Sequence, residues 1–151
     1  MSIGDPSTVL APVSRAADCT ALKLRRLARR VTQIFDDALA VHGVTVGQLG
    51  ILSGLRRSRG VGIAALADML STDASTLSRL IRPLATAGLL SIEPDPDDRR
   101  AKLLRLTDAG RTRLLAATPC WESAQAEVGT LLGQPRLAAL RFIVDDAFNH
   151  L

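Results

Sequence analysis

The chain has 151 residues and a mass of 16.1 kDa, enough for one domain or for one small domain with an appendage. Apolar residues make up 47% and charged residues 23%, ordinary globular usage that excludes a disordered or fibrous chain. Aromatics are only 3%, with no Tyr and one Trp, which argues against aromatic base-stacking platforms and ligand cages.

No run of about 18 apolar residues exists, so no membrane span is expected. The opening stretch Met1–Asp18 lacks a basic n-region and an apolar h-region, so it does not read as a signal peptide, and the expected compartment is the cytoplasm. The two cysteines, Cys19 and Cys120, show neither a disulfide framework nor metal-ligand spacing. The formal charge is +4, and most of the basic side chains are Arg, which forks onto phosphates and guanine edges. Lys23, Arg25, Arg26, Arg29 and Arg30 form one cluster, and Arg56, Arg57 and Arg59 a second. Beyond residue 113, Arg136 and Arg141 stand against Glu122, Glu127, Asp145 and Asp146. Two readings fit this asymmetry: a polyanion partner for the basic part, or a solvated surface biased toward Arg.

Residues 1–18, rich in Ser, Pro and Ala, read as a loose N-terminal tail. From Ala21 to His42 the positions Leu24, Leu27, Val31, Ile34, Phe35 and Ala38 recur at three-and-four spacing, a helical stripe closed by Gly43. Thr45 and Gln48 make a capping box for a helix whose core face is Val46, Leu49, Leu52 and Leu55. Gly60-Val61-Gly62 breaks the pattern, and a short helix with Ile63, Leu66, Ala67 and Leu70 follows. Ser71-Thr72-Asp73 supplies N-cap residues for a further helix with Leu77, Leu80, Ile81 and Leu84 inward, ending at Gly88. Two such helices joined by a short, cap-rich turn have helix-turn-helix proportions.

Past Gly88 the period drops to two. Leu90 and Ile92 alternate with Ser91 and Glu93, and Lys102–Thr107 gives a second short strand. The polar run from Pro94 to Ala101 makes the pair a hairpin with a charged tip. Thr107 caps a helix running toward Leu132, with an interruption or kink expected at Pro119, and a last helix runs from about Pro135 to Asn149.

The stretch from Gly62 to Gly110 resembles the winged helix-turn-helix of the MarR family of bacterial transcription regulators. The resemblance rests on Ile63-Ala64-Ala65-Leu66-Ala67, on Ser75-Thr76-Leu77-Ser78-Arg79-Leu80-Ile81 and on Gly88-Leu89-Leu90. Its most specific part is Pro94-Asp95-Pro96-Asp97-Asp98-Arg99-Arg100 followed by Leu106-Thr107-Asp108-Ala109-Gly110. It implies a mostly α fold with a small β-hairpin wing, with residues 44–106 as the DNA-binding domain. Residues 19–43 and 107–151 would form a helical dimerisation region. Independently, the terminal helices carry apolar stripes that one small chain would struggle to bury alone, and a twofold mate would cover them.

On a recognition helix starting near Asp73, Ser75, Thr76 and Arg79 fall opposite the buried face, with Arg82 near its edge, so these four are the expected groove contacts. Pro83 stands where many relatives carry a basic residue, and is expected to free the Arg79 carbonyl and bend the helix. At the wing tip Asp98 and Arg100 are two apart, so the carboxylate is expected to hold the guanidinium extended. The resemblance makes Arg100 the minor-groove probe, and Arg99 is assigned a phosphate contact.

Some MarR-family members sense hydroperoxides through a cysteine near Cys19, with Tyr partners that this chain lacks; an activated thiolate needs positive neighbours, and Lys23 could supply one. Cys120 reads as a small buried hydrophobe, Asp36-Asp37 as a solvated helix face, and His42 and His150 as lacking companions for zinc. No phosphate-cradling loop, nucleophile constellation or paired carboxylate is present, so neither enzymatic activity nor a cofactor is expected. The expected function is a homodimeric, sequence-specific DNA-binding repressor acting on double-stranded DNA. The resemblance adds release by a small lipophilic or phenolic effector. A dimeric protein-interaction module on the same scaffold and a thiol-based redox regulator stand as alternatives.

Overall fold

The computed structural model describes residues 15–98 and 100–151. A 3-10 turn (Arg15–Asp18) leads into helix α1 (Thr20–Leu39), which tightens into a second 3-10 turn at Ala40–His42 and ends on Gly43 at φ 65°. There follow α2 (Val46–Leu55), β1 (Val61–Gly62), α3 (Ile63–Met69), α4 (Ala74–Thr86), β2 (Leu90–Pro94), β3 (Lys102–Leu106), α5 (Asp108–Leu132) and α6 (Gln134–His150). Among the described residues no single helix is long and apolar enough to cross a membrane.

The capping box forms as the sequence predicts. Thr45 Oγ1 accepts from the Gln48 amide at 3.3 Å, and Gln48 Oε1 accepts from the Thr45 amide at 3.0 Å. Asp36 is half-buried where a solvated face was expected: its Oδ1 accepts from the Val46 amide at 2.7 Å, so a carboxylate on α1 satisfies a free N–H at the start of α2. Asp37 stays exposed and accepts from Gln33 Nε2. Helix α2 buries Ile51 in addition to the expected Leu49, Leu52 and Leu55. It touches α1, α3, α4, α5 and β3, and only Gly47 and Ser53 on it are exposed, so no polar face marks a period.

The sheet is antiparallel in the order β1-β3-β2. In the wing hairpin Leu90 pairs with Leu106 and Ile92 with Leu104, so the alternating apolar side chains share one face. The third strand is a difference from the sequence reading: Val61 pairs with Leu104, where Gly60-Val61-Gly62 was expected only to break a helix. Two residues are too few to show a period. The expected interruption at Pro119 is also absent, because α5 runs unbroken from Asp108 to Leu132 with Pro119 inside it. Packing compensates for the missing amide: Ala117 and Ala124, flanking the proline, are buried against the two cores.

One junction ties these elements together. Thr107 Oγ1 accepts from the Gly110 amide at 3.0 Å, capping α5, and donates to the Gly88 carbonyl at 2.7 Å, just past the end of α4. The Thr107 amide completes the link by donating to the Leu89 carbonyl at 3.3 Å. The first turn of α5 therefore lies against the α4–β2 connection with no room for a side chain. A Cβ on Gly110 would overlap the Leu89 carbonyl oxygen and sit 2.7 Å from Leu106 Cδ1. Gly110→Ala is expected to destabilise the fold by about 3 kcal/mol or more, and Thr107→Val by about 1–2 kcal/mol, both read by urea denaturation. A Gly110→Ala protein as stable as the parent would contradict this close approach.

Candidate nucleic-acid interface

Helix α4 is capped by Asp73, whose Oδ1 accepts from the Thr76 amide at 2.8 Å while Oδ2 accepts from the Thr76 hydroxyl at 2.7 Å. Leu77, Ile81 and Leu84 are buried. Ser75, Arg79 and Arg82, at i, i+4 and i+7, form an exposed stripe on the opposite side. Thr76 differs from expectation: it is half-buried on the flank of this stripe and its hydroxyl proton is committed to Asp73. It therefore shapes the helix start, where sequence spacing had made it a groove contact. Pro83 is exposed, and the helix continues through it, with its carbonyl accepting from the Ala87 amide at 3.0 Å.

The wing tip is a set of nested turns. The Asp95 amide donates to the Ala101 carbonyl, the Asp97 amide to Asp95 Oδ1, and the Ala101 amide to the Asp98 carbonyl. Asp98 does not hold the Arg100 guanidinium. Its Oδ1 accepts from the Arg100 backbone amide at 3.0 Å, a shorter loop than the path to the end of the side chain. Asp98 thus fixes the backbone from which Arg100 projects, and Arg100 is exposed. Arg99 lies outside the described residues.

Ion pairing separates committed from available charge. Across the hairpin, Arg105 Nε lies 2.9 Å from Glu93 Oε2, off the N–H direction, so the contact is an ion pair without a directed hydrogen bond. Glu93 also accepts from Ser91 Oγ. Among the described residues no ion pair engages Arg79, Arg82 or Arg100. The interface offers uncommitted cations on a helix face and at a hairpin tip.

Outside this interface, Lys23 pairs with Asp18 at 3.4 Å, so its ammonium is not dedicated to the exposed Cys19. Cys120 is half-buried where full burial was expected, and its Sγ lies 3.5 Å from His42 Nε2. The 78-residue separation of that pair hides it from any local motif. His150 Nδ1 lies 2.7 Å from the Asp146 carbonyl oxygen. A second missed feature is a cleft of about 390 Å³ between α2 and α5, walled by Val46, Leu49, Leu114 and Trp121, with Ser53, Thr118 and Arg56 as polar groups.

The two hydrogen bonds from Thr76, the hydroxyl's the larger effect, hold the Asp73 carboxyl below its ordinary value. A depressed folded value means that the cap stabilises α4 above the unfolded value and is lost as pH falls through the lowered one. Protection of the Thr76 amide, its exchange relative to an unstructured amide at the same pH, is therefore expected to fall on acidification through that range. In Asp73→Asn, which keeps an acceptor without a titrating proton, it should not. Identical acid profiles would contradict the assignment.

Four findings place this geometry among known proteins. A family model described as a winged helix DNA-binding domain matches residues 37–110. The HTH-type transcriptional repressor NicR of Pseudomonas putida is 30% identical over 118 residues, 78% of this chain and 75% of that protein. The multiple antibiotic resistance protein MarR of Escherichia coli is 28% identical over 93 residues, 59% of this chain and 65% of that one. Among solved structures, the Mycobacterium tuberculosis transcriptional regulator MosR in complex with DNA superposes with a TM-score of 0.74 at 30% identity, covering 87% of this chain and 97% of that chain. Helix-turn-helix, three-stranded wing and the Thr107–Gly110 junction fall within that likeness, and the chain belongs to the MarR family of winged helix transcription regulators.

Proposed function

We propose that this regulator is a cytoplasmic homodimeric repressor that reads a near-palindromic operator and is released by a small lipophilic or phenolic effector. The observation that carries the reading is the α4 face. Ser75, Arg79 and Arg82 stand exposed, the two arginines without an ion-pair partner among the described residues, on a helix fixed by a buried apolar side and an acid-capped end. Such a helix enters a major groove with Arg79 and Arg82 reaching guanine edges or phosphates and Ser75 donating to either. The wing takes Arg100 into the minor groove, with Arg99 on a phosphate.

Dimerisation is supported by what α1 and α6 leave uncovered. Leu22, Leu24 and Leu27 on α1, and Phe142, Ile143, Val144 and Phe148 on α6, are exposed, and residues 141–151 include no buried position. Single exposed apolar residues are ordinary, but a continuous run on two terminal helices marks an interaction face. Charge favours a second copy as its occupant, since the basic run Arg25, Arg26, Arg29 and Arg30 on α1 complements Asp145 and Asp146 on α6. A twofold dimer would present two α4 helices about one DNA turn apart. Residues 19–43 and 107–151 then form the dimerisation region and 44–106 the DNA-binding domain.

The test titrates variants against operator and scrambled duplex. Arg100→Ala is expected to weaken operator binding by about 1–3 kcal/mol with folding intact. Asp98→Ala is expected to do part of that damage by loosening the tip, while Asp98→Asn, which keeps the acceptor for the Arg100 amide, should bind operator at least as tightly as the parent. The same protein should scatter light as about twice 16.1 kDa. A monomer would overturn the dimer, and equal affinity for both duplexes would favour an interaction module over an operator reader.

The cleft between α2 and α5 supports the effector reading: its walls are apolar and aromatic, and Arg56 supplies a cation for an acidic head. Trp121, the single tryptophan, reports occupancy by fluorescence. Titration with 4-hydroxybenzoate is expected to quench it, and Arg56→Ala to weaken binding roughly tenfold, about 1.4 kcal/mol. Quenching unaffected by that change would place the acid elsewhere.

A further inference from the structure

The pair formed by Cys120 and His42 lies outside the DNA-facing surface. His42 ends the 3-10 turn that follows α1, and its carbonyl accepts from Arg113 Nη1 on α5, a hydrogen bond that pins the turn. Cys120 stands two helical turns beyond Arg113, so both fall on the α5 face that meets this turn. Sγ is 3.5 Å from His42 Nε2, and both residues are half-buried. With the ring proton on Nδ1, Nε2 is free to accept the thiol proton. No resolving thiol is near. Cys19, the other cysteine, stands before the first residue of α1, a 20-residue helix about 30 Å long, and His42 lies beyond its far end, so an intramolecular disulfide is out of reach. Trp121 and Leu114 on the same helix line the apolar cleft beside the pair.

We propose that Cys120 and His42 form a modification site for conjugated soft electrophiles of the α,β-unsaturated carbonyl class. Sulfur adds to the β-carbon, forming an S–C bond as the C=C π bond breaks. The thiol proton passes to His42 Nε2 and then to the resulting enolate, so no oxidant or reductant is consumed. The adduct occupies the joint where the 3-10 turn meets α5. Resting on the operator-binding reading above, it weakens DNA binding by displacing α5 from that turn, and with it the Thr107 end that holds α4.

In Cys19→Ser protein, Cys120 is the sole thiol, and its reaction with methyl vinyl ketone is followed by intact mass. Per thiol, the folded chain is expected to react faster than the urea-unfolded chain, the reverse of ordinary protection by half-burial. His42→Gln should slow the folded reaction about tenfold. Operator affinity, measured first on unmodified protein, should fall at least tenfold in the adduct, whereas Cys120→Ser keeps its affinity with and without reagent. A folded rate below the unfolded one, or an unchanged rate in His42→Gln, overturns the site. Fast alkylation with unaltered operator affinity overturns its regulatory consequence. Unmodified protein that binds no operator counts against the function reading alone, because the rate comparison does not involve DNA.

Discussion

The structure depends on the meeting of Thr107 and Gly110 with the Gly88–Leu89 backbone. A single hydroxyl caps the longest helix and closes the carbonyl just past the recognition helix, so α4, β3 and α5 cannot move independently without breaking it. The Gly110 position makes the contact possible, since any Cβ would enter the Leu89 carbonyl. A helix is positioned more precisely when its far end is fixed to a rigid neighbouring element.

Available charge is sorted by local hydrogen bonding. The wing spends its carboxylates on its own backbone: Asp95 and Asp98 each accept from an amide two residues on, and Glu93 neutralises Arg105 at the base of the hairpin. Toward the tip, Arg100 stands exposed on a braced turn. The same economy holds on α4, where Asp73 and Thr76 satisfy each other and leave Ser75, Arg79 and Arg82 outward. Pre-ordering the backbone under a cation lowers the entropy lost on binding without neutralising the cation.

A second joint links α1 to the winged part. Asp36 caps the start of α2, Arg113 holds the His42 carbonyl, and Cys120 lies against the same turn. The cleft with Trp121 opens between α2 and α5 next to it. Helices α2 and α5 also meet in the apolar core, where Leu49, Leu52 and Leu55 share one buried cluster with Leu114 and Ala117. A joint of this kind can hold two discrete arrangements.

Local chemistry made much of the chain legible from sequence. Thr45, Asp73 and Thr107 cap helices as their types and spacing dictate, Gly43 takes a left-handed φ, and the switch from helical to alternating period at Gly88 marks the wing. The exposed face of α4 was legible for the same reason, since helical periodicity alone sets Ser75, Arg79 and Arg82 opposite Leu77, Ile81 and Leu84. Tertiary structure decided what depends on partners distant in sequence. It paired Val61 with Leu104, buried Ile51 on a helix surrounded by neighbours, and carried α5 through Pro119. It turned Asp36 into a cap and Asp98 into a brace for the Arg100 amide, and it brought Cys120 to His42. A side chain's period reports which side it faces, whereas its hydrogen-bond partner is fixed only when the chain folds back and the nearest unsatisfied donor arrives.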